Sequence, residues 1–185
     1  MKLRSMTCLA TALALMLPLS AFARDWQVDA AGSTLSFKGS YQGEGFDGKF
    51  KKFDATIAYD AGDLAKSKFD VTIDLASADT SNSDRDDSLH GPDFFDVKKT
   101  PKARFVTESF AKAADGSVEA KGKLTIRDKT APVTLKVAFA ENGGKATLDV
   151  DTVLKRADYG LGAGSDWSDV GADVPVHGHL SLTAK

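Results

Sequence analysis

Over residues 69–75 the chain alternates without a slip: Phe69, Val71, Ile73 and Leu75 take every second position, and Asp70, Thr72 and Asp74 fill the gaps. Successive side chains of an extended strand point to opposite faces, so this spacing buries four apolar groups and leaves a polar row in water. The same period recurs along most of the chain. Leu35 and Phe37 share a face, as do Phe53, Ala55, Ile57 and Tyr59, and Phe105 with Thr107. Further runs are Val118, Ala120, Gly122, Leu124 and Ile126, then Val133, Leu135, Val137 and Phe139. The last two are Ala146, Leu148, Val150, Thr152 and Leu154, and Val174, Val176, Gly178, Leu180 and Leu182.

These runs predict eight strands. Turns as short as Ala114-Asp115-Gly116 and Asn142-Gly143-Gly144 favour antiparallel neighbours over crossover connections. The predicted fold is therefore all-β, an eight-stranded antiparallel barrel with a short helical insertion. At eight strands a barrel interior is either filled by side chains or holds one elongated ligand, and closure removes exposed edges. A two-sheet sandwich is the rival, because alternation alone does not separate a barrel interior from a sandwich core.

Residues 77–101 interrupt the pattern. Asn82 or Ser83 is placed to cap a short helix whose first turn carries Asp84, Asp86 and Asp87, and Gly91-Pro92 would stop it. Asp93-Phe94-Phe95-Asp96 then sets two aromatics in an otherwise polar segment, which predicts an excursion folded back over one end of the barrel. It is either a lid or a plug that completes the core.

The first 23 residues read as a cleaved signal peptide, with residues 24–185 as one domain. Lys2 and Arg4 precede an apolar run over residues 9–19, and Ala21-Phe22-Ala23 offers small residues at the cleavage positions. That run is about half of the ~20 residues needed to span a bilayer. Cys8 leaves with the signal, so disulfide and thiolate chemistry are excluded from the mature chain. Losing Lys2 and Arg4 reduces the 24 basic residues to 22 against 26 acidic ones, and no basic stripe suggests nucleic acid.

Catalysis finds little to work with. No nucleophile elbow, phosphate-cradling loop or dinucleotide fingerprint is present. His177 and His179 project to one side of a strand, yet Val174, Val176, Leu180 and Leu182 claim its inner face and no third ligand stands at fixed spacing, so neither a metal site nor a catalytic residue is assigned. Phenylalanine, with 11 residues, is the more telling feature. Phe37, Phe53, Phe69, Phe105 and Phe139 fall on inward positions, with Phe46, Phe50, Phe94 and Phe95 in adjoining loops. Small inward residues such as Ala55, Ala120 and Gly122 would leave room for a channel that suits an apolar chain.

Several short stretches, in this order, resemble the YceI-like family. They are Ser33-Thr34-Leu35-Ser36-Phe37, Gly48-Lys49-Phe50-Lys51-Lys52-Phe53-Asp54, Arg85-Asp86, Asp93-Phe94-Phe95-Asp96 and Pro101-Lys102-Ala103-Arg104-Phe105. The likeness continues through Gly122-Lys123-Leu124-Thr125-Ile126-Arg127, Pro132-Val133-Thr134-Leu135 and Arg156-Ala157-Asp158-Tyr159-Gly160-Leu161-Gly162. The resemblance implies a lipocalin-like barrel, exported to the periplasm, whose tunnel holds a polyisoprenoid such as a ubiquinone-type tail or a prenyl diphosphate, with no covalent cofactor and no established catalytic activity. Many members carry a His in the helix of the insertion, two positions before a Leu-Arg-Ser-like stretch. Here the segment is Asp87-Ser88-Leu89-His90-Gly91, so a head-group role for that His does not transfer. The chain is also similar to the subset found beside, or fused to, cytochrome b561-type membrane proteins, which implies such a protein as a partner.

The expected ligand-binding residues are Phe37, Phe46, Phe53, Ile57, Phe94, Phe95, Phe105, Ala120, Leu124 and Ile126, with Arg85 at the mouth. Arg85 serves either a head group or a clamp that holds the insertion to the barrel, with Asp84 and Asp86 as neighbouring partners for its charge. The leading expectation is a carrier that shields an isoprenoid lipid from water. Two others stand beside it: a docking module for a membrane cytochrome, and a head-group enzyme using Arg156, Asp158 and Asp166.

Overall fold

The computed structural model describes residues 23–185, so the predicted signal peptide lies, but for Ala23, outside the described residues. Ten strands follow in chain order: β1 (Arg24–Tyr41), β2 (Glu44–Phe50), β3 (Phe53–Tyr59), β4 (Lys68–Asp74), β5 (Ala78–Asp79), β6 (Lys102–Lys112), β7 (Val118–Ile126), β8 (Lys129–Asn142), β9 (Lys145–Lys155) and β10 (Asp173–Ala184). One helix, α1 (Ser83–His90), sits between β5 and β6.

These form a barrel of eight staves. β2 and β3 are two halves of one bent stave, since both pair with β1, Leu35 opposite Phe50 and Trp26 opposite Ile57. From there the order runs β3, β4, β6, β7, β8, β9, β10, all antiparallel, and β10 returns to β1. That last pairing decides against the sandwich: a closed sheet leaves no edge. β5 is a two-residue attachment to β2.

Two departures from the sequence reading concern the first hairpin. β1 starts at Arg24, well before Leu35, and brings Trp26 into the core at 2% exposure. Phe46 and Phe50, expected in loops, lie in β2. One glycine from each strand, Gly39 of β1 and Gly48 of β2, explains why so polar a segment pairs. Phe37 faces Gly48 and Phe46 faces Gly39 across the ladder. A Cβ on Gly48 would stand 2.3 Å from Phe37 Cζ, and one on Gly39 2.4 Å from Phe46 Cζ. Each ring lies over the bare backbone of its partner, a cross-strand arrangement that supplies the contact glycine lacks.

The interior is divided along the barrel axis into two apolar clusters. At one end Trp26, Ile57, Tyr59, Phe69, Ala120, Leu148 and Leu180 pack together, joined by Phe110 and Phe139. At the other, Leu75, Phe94, Phe95, Phe105, Leu124, Ile126, Tyr159 and Leu161 form a second group. Strands β6 to β9 contribute to both, β7 giving Ala120 to the first and Leu124 and Ile126 to the second, whereas β1 and β10 contribute only to the first.

Candidate functional site

The insertion closes the second end. Asn82 caps α1, its side chain accepting from the Arg85 amide at 3.0 Å, and Gly91 ends it, as the sequence predicts. The chain then turns inward and buries Phe94 and Phe95 at 6% and 7% exposure, so these two rings act as lid and core at once. Residues 156–171 cover the rest of the mouth. The two segments are tied together: the Gly162 amide donates to the Asp93 carbonyl at 2.7 Å, Trp167 Nε1 donates to Asp93 Oδ2 at 3.1 Å, and Trp167 meets Phe94 edge-on at 4.9 Å.

Arginines hold this cap in place. Arg127 Nη1 donates to the Phe94 carbonyl. Arg156 spends its guanidinium on the cap alone, with Nε to Gly171, Nη1 to Leu161 and Gly162, and Nη2 to Trp167 and Val170, all main-chain carbonyls at 2.6–3.1 Å. Five N–H groups meet five acceptors, so no donor remains for a substrate. Asp158 and Asp166 are exposed and do not line the cavity beneath. The enzyme trio proposed from sequence is therefore not assembled.

Beneath the cap lies a cavity of about 200 Å³. Its lining is apolar or glycine except for Thr34, Thr152 and Arg156. Thr152 Oγ1 donates to the Thr134 carbonyl at 2.9 Å, and Arg156 is saturated as above. Such a space stays dry and accepts hydrocarbon.

Phe37, Phe46, Phe53, Ile57, Phe94, Phe95, Phe105, Leu124 and Ile126 all border this cavity. Ala120 does not. It is fully buried among the residues of the closed end, because it sits on the half of β7 that faces away from the mouth. Nor does Gly122 make the room: the space beside it is taken by the Phe105 ring, whose Cζ would lie 2.8 Å from a Cβ there. Sequence reasoning missed Leu89, Leu154, Val170 and Val174, which also line it. Leu154 and Val174 carry the strand alternation and were legible; Leu89 and Val170 sit in polar segments with no period to mark them.

Arg85 stands outside, in a second hollow of about 340 Å³ that it shares with Asn82, Asp84 and Trp167. Phe46, Leu89, Phe94 and Val170 border both spaces and form the partition between them. Arg85 Nε donates to Thr80 Oγ1 at 2.9 Å and Nη2 to the Thr80 carbonyl at 3.1 Å, while the Thr80 amide and hydroxyl donate to Asp86 Oδ1. Its charge is thus not paired directly with Asp84 or Asp86, as the sequence suggested, but with a carbonyl, a hydroxyl and the face of Phe46.

On the outer wall His177 and His179 point away from the cavity, their Nδ1 atoms 2.8 Å and 2.6 Å from carboxylate oxygens of Asp151 and Asp149. Among the described residues no group of three or more His, Cys, Asp and Glu is arranged to hold a metal ion. No helix among them is long and apolar enough to cross a membrane.

Residues 26–182 match the model of the YceI-like domain, and the chain belongs to that family. It is 31% identical over 181 residues to an UPF0312 protein of Vibrio vulnificus strain YJ016, covering 92% of this chain and 96% of the relative. Among solved structures it is similar to Burkholderia cenocepacia BcnA, with a TM-score of 0.79 and 35% identity over 85% of this chain and all of that one. A polyisoprenoid binding domain from Saccharophagus degradans shares the fold at a TM-score of 0.68, with 18% identity over 89% of this chain and all of the domain.

Proposed function

We propose that this chain is a periplasmic binding protein that shields an isoprenoid lipid from water, taking the hydrocarbon into the barrel and leaving the head group by Arg85. The observation that carries this reading is the cavity of about 200 Å³, apolar but for Thr34, Thr152 and Arg156, the last two of which bond within the protein. Burial of hydrocarbon is favourable by about 0.8 kcal/mol per CH₂, so a few isoprene units supply useful affinity with no polar contact inside the barrel. Family membership and the shared fold with a polyisoprenoid binding domain support the same reading. Export is supported by the N-terminal pattern of Lys2, Arg4 and Ala21-Phe22-Ala23.

The charge of the mouth bears on the head group. Asp84 borders the outer hollow with Arg85, and Asp87, Asp93 and Asp169 lie exposed in the surrounding segments. A neutral quinone-type head meets less repulsion there than a diphosphate.

The test is mass spectrometry of organic extracts from the native exported protein. A prenyl lipid in the wild type, lost from Ile73→Trp with the barrel intact by circular dichroism, is the expected result; Ile73 borders the cavity and is half-buried. An extract without prenyl lipid, from protein that copurifies with a cytochrome b561-type membrane protein, would instead make the chain a docking module.

A further inference from the structure

We infer that lipid enters and leaves this barrel sideways, through a seam in its wall between β1 and the bend that joins β2 to β3, and not through the capped mouth. The inference rests on the isoprenoid reading above and concerns the route, not where the head group comes to rest.

The seam is a gap in the ladder. β1 pairs with β3 only up to Trp26 opposite Ile57, and with β2 only from Leu35 opposite Phe50. Residues 27–34 of β1 pair with neither, and Phe53 to Thr56 of β3 pair with β4 alone. Each side spends its polar groups elsewhere. At the bend, the Lys51 amide donates to the Ser77 carbonyl at 3.1 Å and the Lys52 amide to Ser77 Oγ at 3.0 Å. On β1, which bulges between Asp29 and Thr34, Ser33 Oγ donates to the Asp29 carbonyl at 2.6 Å and accepts from the Ser181 amide at 3.0 Å. Among the described residues no backbone hydrogen bond crosses the gap. Side chains close it instead. Thr34, Leu35, Phe50 and Phe53 border both the cavity and an outer hollow of about 530 Å³, so the wall there is one layer of side chains thick. Leu35, Phe50 and Phe53 are half-buried, and their rotamer changes open the wall without breaking a ladder bond.

The two ends of the barrel offer harder routes. At the mouth, a tail has to displace the cap, which is held by the five carbonyl bonds of Arg156 and by the ties from Gly162 and Trp167 to Asp93. The opposite end is a packed floor. There Trp26 meets Phe139 at 5.2 Å, Phe139 meets Tyr59 at 4.6 Å and Phe69 meets Phe110 at 4.9 Å, and Trp26 Nε1 pins this plug to the Tyr59 carbonyl at 3.3 Å. Charge separates seam from mouth as well. Asp84, Asp87, Asp93, Asp166 and Asp169 stand exposed on the insertion and the cap. Lys49, Lys51 and Lys52 border the hollow outside the seam with Asp54 as its acid, and Lys51 holds Asp79 at 2.7 Å. An anionic lipid surface is therefore repelled less on the seam side.

The experiment staples each opening in turn. Beyond Cys8 the chain has no cysteine, so engineered pairs react alone. Ala30→Cys with Asp54→Cys spans the seam, both positions being exposed and on the rim of the same hollow. Pro92→Cys with Ala163→Cys spans the cap, flanking the bond from the Gly162 amide to the Asp93 carbonyl. Each pair is joined in the mature chain by the shortest bismaleimide that links it, with intact mass confirming the linkage. Lipid-free protein is then mixed with phosphatidylcholine and phosphatidylglycerol vesicles carrying geranylgeraniol, and its uptake is followed over time by mass spectrometry of re-isolated protein. The seam staple should slow uptake by about tenfold or more relative to the same variant unlinked, and the cap staple should leave the rate within about twofold. Protein loaded before the seam is linked should keep its lipid when moved to empty vesicles, which a misfolded barrel would not. Uptake at the unlinked rate through a stapled seam would overturn the inference and leave isoprenoid binding standing. So would a cap staple that slows uptake as much as the seam staple, or more, because the mouth would then be a route. Failure of the unstapled mature chain to take up geranylgeraniol would instead overturn the isoprenoid reading beneath it.

Discussion

The Arg85 guanidinium lies 4.1 Å from the centre of the Phe46 ring, and Phe46 is part of the partition between the cavity and the outer hollow. Helix α1 is therefore fastened to the first hairpin by a side chain that also grips Thr80. The expected result for Arg85→Leu is a less stable protein, by about 1–3 kcal/mol for the two hydrogen bonds and the stacked cation together. Binding of farnesol and of farnesyl diphosphate should weaken alike, because the partition loosens for both. Unchanged melting with a selective loss of the diphosphate would make Arg85 a head-group ligand instead.

Ala120 separates a floor from a channel wall. Since it is fully buried against the plug, Ala120→Trp has no cavity to fill, and overpacking of this size should destabilise the barrel by ~3 kcal/mol or more. Thr125→Ala, on the outer face of β7 beside Thr130, should change stability by less than about 0.5 kcal/mol. Urea denaturation of the two variants compares them. A native-like midpoint for Ala120→Trp would mean that the space beside it is open.

On the outer wall Arg104 holds Asp70 through Nε at 2.9 Å and Nη2 at 2.6 Å, and these bonds keep the carboxyl below its ordinary value. A carboxylate depressed on folding stabilises the native state above its unfolded pKa of about 3.9 and loses that contribution as the pH falls through the folded value. Arg104→Gln should accordingly be less stable than wild type at pH 7, and the gap should close in strong acid. Equal gaps at both extremes of a pH series of denaturation midpoints would show that the ion pair does not set the difference.

How much of this was legible in the sequence depends on the periodic residues. Phe69 to Leu75, Val118 to Ile126 and Val174 to Leu182 alternate cleanly and face as read, because a strand with one wet face must place its side chains that way. β2 was illegible for a physical reason: neither its own Gly48 nor Gly39 of β1 carries an apolar signal, and their role appears only once Phe37 lies over the first and Phe46 over the second. The cap was half legible. Phe94 and Phe95 announce themselves as misplaced aromatics, whereas the service of Arg156 to five carbonyls is long-range within its loop and has no spacing of its own. The floor was hidden too, since inward aromatics read the same whether they line a channel or fill it.

The N-terminal prediction is tested by the intact mass of the exported protein. A polypeptide beginning at Arg24, where β1 also begins, is the expected product. A mass that retains residues 1–23, or an added acyl group, would contradict cleavage after Ala23.

Arg156 offers the sharpest test of how the cap is built. Its five carbonyl acceptors, from Leu161 to Gly171, otherwise have to face a half-buried, apolar mouth, and hydrogen bonds from a charged donor are among the stronger ones a protein makes. Arg156→Ala should cost on the order of 3 kcal/mol and free residues 157–171 locally before the barrel unfolds. Hydrogen exchange reads this directly: the Gly162 and Gly171 amides, which donate to the Asp93 and Ser40 carbonyls, should lose protection while the amides of β7 and β8 keep theirs. Arg156→Lys should rescue little, because one ammonium with three donors cannot reproduce a planar fork that reaches five acceptors. If the lysine variant restores both stability and the protection of Gly162, the charge rather than the geometry of Arg156 holds the cap, and the assignment of its five bonds as the organising contact is wrong.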